Sequence, residues 1–300
     1  MYEIPKEIFA FVNTHFSDCN NEIAHTLSTF PGIREEALDS NFIAYFQKRP
    51  GPFKITSSWN IRYEAHFIGG GNHFDTWEVA DIGLMVIFRR KGKIVRSKMA
   101  FLQSKKLYPA NIRLVQRDPL NRMGMGRLLE TDEEHAELIT RKNVSFNELS
   151  KYKAFKKDSQ QQIAMSAFQN RFQINMYYLF YNPLCIPHSI VSPLEVEIDM
   201  TDNIVGCRVL TKNHLDEALS IHPSSYRPSY GDIKYMLPKP FMDDKHIGGW
   251  RLEYFVADLI LGCKEGLIDD SPNFETLLAL LRQKSSPIAG AISITIDLEE

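Results

Sequence analysis

Residues 77–108 read WEVADIGLMVIFRRKGKIVRSKMAFLQSKKLY. Two apolar runs rich in β-branched residues, Val79 to Phe88 and Ile94 to Leu102, flank a charged turn that contains Gly92. Apolar runs of this length on either side of a short polar turn with glycine are typical of paired antiparallel strands. The stretch therefore predicts a β-hairpin whose strands are buried.

Three polar side chains meet at the open end of this predicted hairpin. With the turn centred on Gly92, Asp81 and Gln103 are equidistant from it and oppose each other, with Cα atoms about 5 Å apart. Because side chains alternate along a strand, Gln103 and Lys105 share one face and Ser104 lies on the other. Buried strands rarely hold a carboxylate and an ammonium without a partner or a function. We therefore expect a functional site at this end.

Asp81 followed by Gln103-Ser104-Lys105 resembles the D…(D/E/Q)xK signature of the PD-(D/E)xK nuclease superfamily. The resemblance is to the variant with Gln in place of the second acid, as in Mrr-like restriction enzymes. It rests on the hairpin and extends more loosely over residues 33–181. Two departures are Ala80, where the family has Pro, and Gln103, which is a weaker metal ligand than Glu.

The resemblance implies an α/β (α+β) protein with a restriction-endonuclease-like αβββαβ core and a mixed central sheet. It also implies a Mg²⁺- or Mn²⁺-dependent endonuclease that hydrolyses DNA phosphodiester bonds in a restriction or anti-phage defence context. RNA stays open as the alternative substrate. Protein partners from such a defence system and a homo-oligomeric state are further expectations.

The candidate metal ligands are acids near the hairpin together with one amide. Asp81 is the first candidate, and Glu64 and Glu78 lie close by in sequence. Gln103 would either orient the water or coordinate weakly through its carbonyl oxygen. Oxygen ligands of this kind suit Mg²⁺. Lys105 would stabilise the negative charge that develops at the phosphate, because a fixed cation acts most strongly where charge appears.

A further acid is expected from the helix predicted over Ile33 to Gln47. The resemblance implies a glutamate on the first core helix that reaches the metal, and Glu36 is the candidate. At 100° per residue, Glu35 and Asp39 fall inside the apolar arc of this helix, and Glu36 lies at its edge. The alternative is a helix whose acids reach past the core to water. The sequence leaves open which of Glu36, Glu64 and Glu78 completes the site.

Basic residues cluster in the same region. No Asp or Glu occurs from Ile82 to Arg117, and a surface of this charge attracts phosphates. The alternative is a solvated hairpin tip with ordinary edge-strand lysines. The candidate nucleic-acid contacts are Arg89, Arg90, Lys91, Lys93 and Lys106.

Composition sets broader bounds. The chain has 300 residues, 44% hydrophobic content and a net charge of −2, which allows a substantial core and argues against a protein that coats a polyanion. Its four cysteines are far apart, and we find neither a signal peptide nor an apolar run of the roughly 20 residues that a membrane span needs. These features predict a cytoplasmic protein without membrane contact.

The remaining pattern predicts one elaborated domain. Residues 1–190 form the nuclease-like core, with N-terminal helices and an insertion over 107–157, and residues 191–300 form a C-terminal α/β elaboration that packs on it. The other predicted elements are a strand Trp59 to Ile68, helices Thr131 to Ile139 and Ser159 to Phe172, strands Ile174 to Tyr181, Leu194 to Met200 and Ile204 to Leu210, helices Trp250 to Leu261 and Phe274 to Leu281, and a strand Ile288 to Ile296.

Two other functions fit the same residues. A catalytically inactive nuclease-like subunit would bind nucleic acid or a protein partner in a defence complex, and Gln103 and Ala80 favour it. An ordinary structural subunit would use the hairpin as core and pair Lys105 with Asp81.

Overall fold

The central feature of the computed structural model is a mixed β-sheet of nine strands, which accompanies a second sheet of three strands. These counts refer to the residues that the structure describes, namely 4–67, 79–116, 141–192, 202–237, 247–269 and 288–298. The predicted α/β class with a mixed central sheet is confirmed.

The strands and helices have the following bounds. The strands are β1 (Phe53–Lys54), β2 (Trp59–Phe67), β3 (Ala80–Arg90), β4 (Lys93–Lys106), β5 (Asn111–Gln116), β6 (Arg141–Phe146), β7 (Met176–Tyr181), β8 (His188–Ser192), β9 (Arg208–Thr211), β10 (Trp250–Arg251), β11 (Leu267–Asp269) and β12 (Ile288–Leu298). The helices are α1 (Lys6–Thr29), α2 (Glu35–Gln47), α3 (Gln160–Phe172), α4 (Lys212–Ala218), α5 (Tyr230–Met236) and α6 (Leu252–Tyr254), which continues as a π-helix over Phe255–Leu261.

The predicted hairpin is confirmed as β3 and β4, and a two-residue turn closes it. Lys91 and Gly92 both have positive φ, 49° and 72°, as the commonest two-residue hairpin turns require. A β-bulge between Phe88 and Arg89 leaves Val95 of β4 outside the ladder. The extra residue shifts the register by one, which brings Asp81 opposite Gln103 as the simple count from Gly92 predicts.

The central sheet has the strand order β1-β2-β12-β3-β4-β7-β9-β10, and β11 also pairs with β4. β3 and β4 are antiparallel, whereas β4 and β7 are parallel. α2, β2, β3, β4, α3 and β7 occur in this order along the chain, with β1 between α2 and β2 and with β5 and β6 between β4 and α3.

The position of β12 differs from the prediction. It lies between β2 and β3, antiparallel to the first and parallel to the second, so residues 191–300 contribute an internal strand as well as surface elements. The strand itself was predicted, because an apolar run such as IAGAISITI reads as a buried strand. Its neighbours were not predictable, since a strand buried on both faces carries no local signal of its partners.

Helices cover both faces of the sheet. α1 and α2 pack on one face, where the rings of Phe46 and Phe16 are 4.5 Å apart and those of Phe46 and Tyr63 are 5.1 Å apart. α3 packs on the other face, with Phe168 at 5.6 Å from Phe101. Ser159 caps α3, because its hydroxyl accepts a hydrogen bond from the backbone N–H of Gln162.

Several other predictions are changed or lie outside the described residues. β5 and β6, which pair in the second sheet with β8, occupy parts of the region predicted as a loosely structured insertion. The two residues before α6 form β10, so the helix predicted from Trp250 begins at Leu252. None of the described helices is long and apolar enough to cross a membrane. The segments Thr131 to Ile139, Leu194 to Met200 and Phe274 to Leu281 are not among the described residues.

Candidate functional site

The site forms where β4 extends beyond its ladder with β3. The last β3–β4 pair is Ile82 with Leu102, whereas β4 continues to Lys106 and pairs there with β7. Two carboxylates accept the backbone N–H groups of this extension. Asp81 Oδ2 accepts from Ser104 N at 2.8 Å, and Glu35 Oε2 accepts from Lys106 N at 2.6 Å.

Asp81 lies beside Gln103, so the predicted juxtaposition of these two residues is confirmed. Gln103 Nε2 donates to Asp81 Oδ2, and the hydroxyl of Ser104 lies 3.0 Å from the same oxygen. The carbonyl oxygen of the Gln103 side chain, Oε1, is buried and has no hydrogen-bond partner in the described part of the chain. Buried acceptors without a partner are uncommon and indicate a place for a water molecule or an ion.

Asp39 of α2 completes a carboxyl pair. Its Oδ2 lies 2.9 Å from Ser104 Oγ, and its Oδ1 accepts from Tyr181 Oη at 2.7 Å. A serine hydroxyl has one proton, so it can donate to Asp39 or to Asp81 but not to both. Its contact with the other carboxyl requires a proton on that carboxyl.

The pKa values of the pair are shifted in the direction that this geometry requires. Burial raises the pKa of Asp39 well above its usual range, and repulsion from Asp81 adds to the effect. Burial also raises the pKa of Asp81, although the positive charge of Lys105 opposes it. Two nearby carboxylates in a low-dielectric site favour keeping one proton between them.

Lys105 pairs with Glu35 at the start of α2. Its Nζ donates to Glu35 Oε1 at 3.3 Å, and the two side chains are 4% and 15% exposed. Burial raises the pKa of Glu35, whereas Lys105 and the N–H of Lys106 lower it. The ammonium is therefore largely shielded from bulk water, and its charge also acts on Asp81.

Lys106, which was predicted to contact nucleic acid, is placed differently. It is 2% exposed, and its Nζ donates to the carbonyl oxygens of Pro31 and Ile33 in the segment before α2. Burial lowers its pKa to about 8. Lys106 and Ser104 lie on the face of β4 that α2 covers. The Lys106 side chain therefore binds the segment before α2 to the end of β4 and does not face solvent.

The other predicted acids are not brought to Asp81. Across β12, Glu64 is in register with Ser293 and then with Met85. Met85 is four residues from Asp81 along β3, and Glu64 lies two strands away from β3 across the sheet. These two displacements together separate the Cα atoms of Glu64 and Asp81 by roughly 16 Å. Glu36 is exposed on α2, and Glu78 lies outside the described residues.

The helix contributes Glu35 and Asp39 in place of Glu36. These two residues are four apart and therefore on the same face of α2. The signal that could have found them was present in the sequence, because both fall inside the apolar arc and Glu36 falls at its edge.

The basic residues of the hairpin tip do not belong to this cluster. Arg90 is nine residues from Asp81 along β3, which corresponds to roughly 30 Å. Lys91 and Lys93 are exposed, and Arg89 and Arg90 are partly buried. The acidic cluster, which consists of Glu35, Asp39 and Asp81, and the basic tip, which consists of Arg89, Arg90, Lys91 and Lys93, thus lie at opposite ends of the same hairpin.

The donor atoms at the site fit a hard divalent cation. Two carboxyl groups, from Asp81 and Asp39, and the unpaired Gln103 Oε1 supply oxygen ligands of the type that Mg²⁺ prefers. In the six described ranges, no group of three or more His, Cys, Asp or Glu side chains is arranged to hold a metal ion. An ion here would therefore use the amide oxygen and water besides the two carboxylates.

Comparison of the chain with protein families, with curated proteins and with solved structures found no match. The function is therefore inferred from the fold and from the geometry of the site.

Proposed function

We propose that this protein is a metal-dependent nuclease that hydrolyses phosphodiester bonds of DNA. The observation that carries the proposal is the pair Asp39 and Asp81 on either side of Ser104, beside the unpaired Gln103 Oε1 and the ammonium of Lys105. Paired acids with raised pKa values and a buried cation are typical of catalytic sites rather than of ordinary sheet ends.

The order of elements supports the same proposal. The helix, three strands, helix and strand that surround the site follow the αβββαβ order of the superfamily that the D…QxK pattern resembles. The parallel pairing of β4 with β7 beside an antiparallel β3–β4 hairpin gives the mixed sheet that the resemblance implies. The insertion of β12 between the first two core strands departs from that simple core.

Each residue of the site would have a separate role in the reaction. Asp81, Asp39 and Gln103 Oε1 would hold Mg²⁺ or Mn²⁺, and the proton shared by the two aspartates would leave when the cation binds. Such an ion polarises a phosphodiester and lowers the pKa of a bound water. Lys105 would stabilise the charge that develops on the phosphate, and Glu35 would hold the Lys105 side chain in position.

The test is cleavage of double-stranded and single-stranded DNA, with RNA in parallel, in the presence of Mg²⁺ or Mn²⁺. We expect Asp81→Asn and Lys105→Met each to reduce cleavage by at least about 100-fold. Glu36→Gln is the matched control on the exposed side of α2 and should stay within about twofold of the native protein. Native-like cleavage by a folded Asp81→Asn protein would refute the proposal.

The ion pair and the hydrogen bonds within the site favour a second candidate function. Lys105 is paired with Glu35, and both Asp81 and Glu35 already accept backbone hydrogen bonds. A catalytically inactive nuclease-like subunit of a defence complex, which binds nucleic acid or a partner protein, would retain these contacts for stability alone. Calorimetric titration with Mn²⁺ separates the two, because only the nuclease should bind the ion in a way that Asp81→Asn abolishes.

A further inference from the structure

A pocket opens at the far end of the hairpin, roughly 30 Å from the acidic cluster. Its volume is about 260 Å³. Trp59 at the start of β2, Phe88 of β3 and Leu298 at the end of β12 form apolar walls, and the bulged residue Val95 contributes a further wall. Trp59 and Leu298 are register partners in neighbouring strands, so the ends of three strands build this pocket.

The polar side chains that line the pocket are cationic. Arg89, Arg90 and Arg96 line it together with Cys263, and none of its described lining residues is a carboxylate. By register, Asp297 of β12 is the strand neighbour of Arg89 and offsets part of its charge. Guanidinium groups bind phosphate through paired hydrogen bonds and stack on planar rings.

One of these groups has an unused donor. The Nε atom of Arg89 is buried and has no hydrogen-bond partner among the described residues. An unpaired donor in a buried position disfavours the folded state unless an acceptor reaches it. An anion in the pocket would supply that acceptor.

We propose that this pocket binds a nucleoside phosphate, with the base between the apolar walls beside Trp59 and the phosphate on Arg89. The combination of an indole, a phenyl ring and guanidinium groups favours a planar ring that carries an anion. The group that binds is either a free mononucleotide or the 5′-phosphorylated end of a nucleic acid strand, since both present the same chemistry. The site is separate from the acidic cluster and does not depend on nuclease activity.

Calorimetry on the full chain tests the proposal, with AMP and a 5′-phosphorylated oligonucleotide as separate ligands. We expect both to bind, and Arg89→Gln to weaken binding by at least about tenfold, because a charge-assisted hydrogen bond is lost. Lys93→Gln is the control, because Lys93 is exposed at the tip and does not line the pocket. This control should bind AMP within about twofold of the native protein.

Chemical protection of Cys263 gives a second measurement. In a Cys185→Ser background, which removes the other partly exposed thiol, AMP should slow alkylation of Cys263 several-fold. If Arg89→Gln does not fold, Arg89→Lys keeps the charge without Nε and should also weaken AMP binding. Tighter binding of the oligonucleotide assigns the pocket to a strand end, and tighter binding of AMP assigns it to a free nucleotide. Absence of binding by both ligands, or equal binding by the native protein and the folded Arg89 variant, would overturn the proposal.

Discussion

Ser104 contacts two carboxyl groups but has one hydroxyl proton to donate. We therefore expect the free energy of unfolding to depend on the side chain at position 39. In Asp39→Asn, the amide oxygen can accept from Tyr181 while the amide N–H₂ donates to Ser104, whose hydroxyl then donates to Asp81. We expect this variant to raise the free energy of unfolding at pH 7 by about 1–3 kcal/mol, because a buried carboxyl with an unfavourable charge is replaced. Urea denaturation measures the difference.

The pH dependence of this gain follows from the direction of the shift. Because the pKa of Asp39 is raised in the folded protein, its protonated form stabilises the fold at low pH, and this contribution is lost as the pH rises through the raised pKa. The advantage of the asparagine should therefore be largest at neutral pH and disappear near the usual Asp pKa of about 3.9. Glu36→Gln is the control and should change stability by less than about 0.5 kcal/mol. A gain that does not depend on pH would contradict this account.

At the scale of elements, Gly290 sets how closely α2 approaches the sheet. A Cβ atom at this position of β12 would lie about 2.5 Å from Ile43 Cδ1, one helical turn beyond Asp39. We expect Gly290→Ala to destabilise the protein by about 0.5–1.5 kcal/mol, because the Ile43 side chain must shift or leave its rotamer to make room for the added methyl group. Thermal or urea denaturation checks this value.

A double-mutant cycle isolates that contact. Ile43→Val removes the Cδ1 atom, so the pair Gly290→Ala and Ile43→Val should be more stable than the sum of the two single changes predicts. Gly32→Ala is the control, since its added Cβ would meet only Phe30 at an ordinary 3.7 Å. If the two changes in unfolding free energy are strictly additive, the contact with Ile43 Cδ1 is not the cause of the effect of Gly290→Ala.

The hairpin and its turn were predictable because their signals are local. An apolar run on each side of a glycine predicts the hairpin, whereas the register that brings Asp81 to Gln103 also depends on the β-bulge between Phe88 and Arg89. The choice between Glu35, Asp39 and Glu36 depended on which side of α2 faces β4. The burial of Lys106 depended on the carbonyl groups of Pro31 and Ile33, which no pattern in β4 specifies.

At the scale of the whole molecule, β12 joins β2 to β3, and its partners depend on contacts that are distant in sequence. Ile292, Ile294 and Ile296 are 0–1% exposed, and each contributes about 1.5–3 kcal/mol by burial. A chain that ends at residue 287 loses this burial and the hydrogen bonds along both edges of β12. Since proteins have net stabilities of about 5–15 kcal/mol, we expect that chain not to fold.

Circular dichroism and resistance to proteolysis measure this outcome. A chain that ends at Leu298 is the control and should resemble the full protein, because all of β12 is retained. A stable, protease-resistant sheet in the chain that ends at residue 287 would show that β2 and β3 can pair without β12.

The position of β12 also has a consequence for synthesis on the ribosome. β2, β3 and β4 emerge early, but the strand that fills the gap between β2 and β3 is translated only after most of the remaining chain. Domains fold as units, so β2 and β3 of the nascent polypeptide each have an unpaired strand edge until β12 has been translated. Since the gap borders Asp81's own strand, interrupted translation products should lack an assembled candidate site.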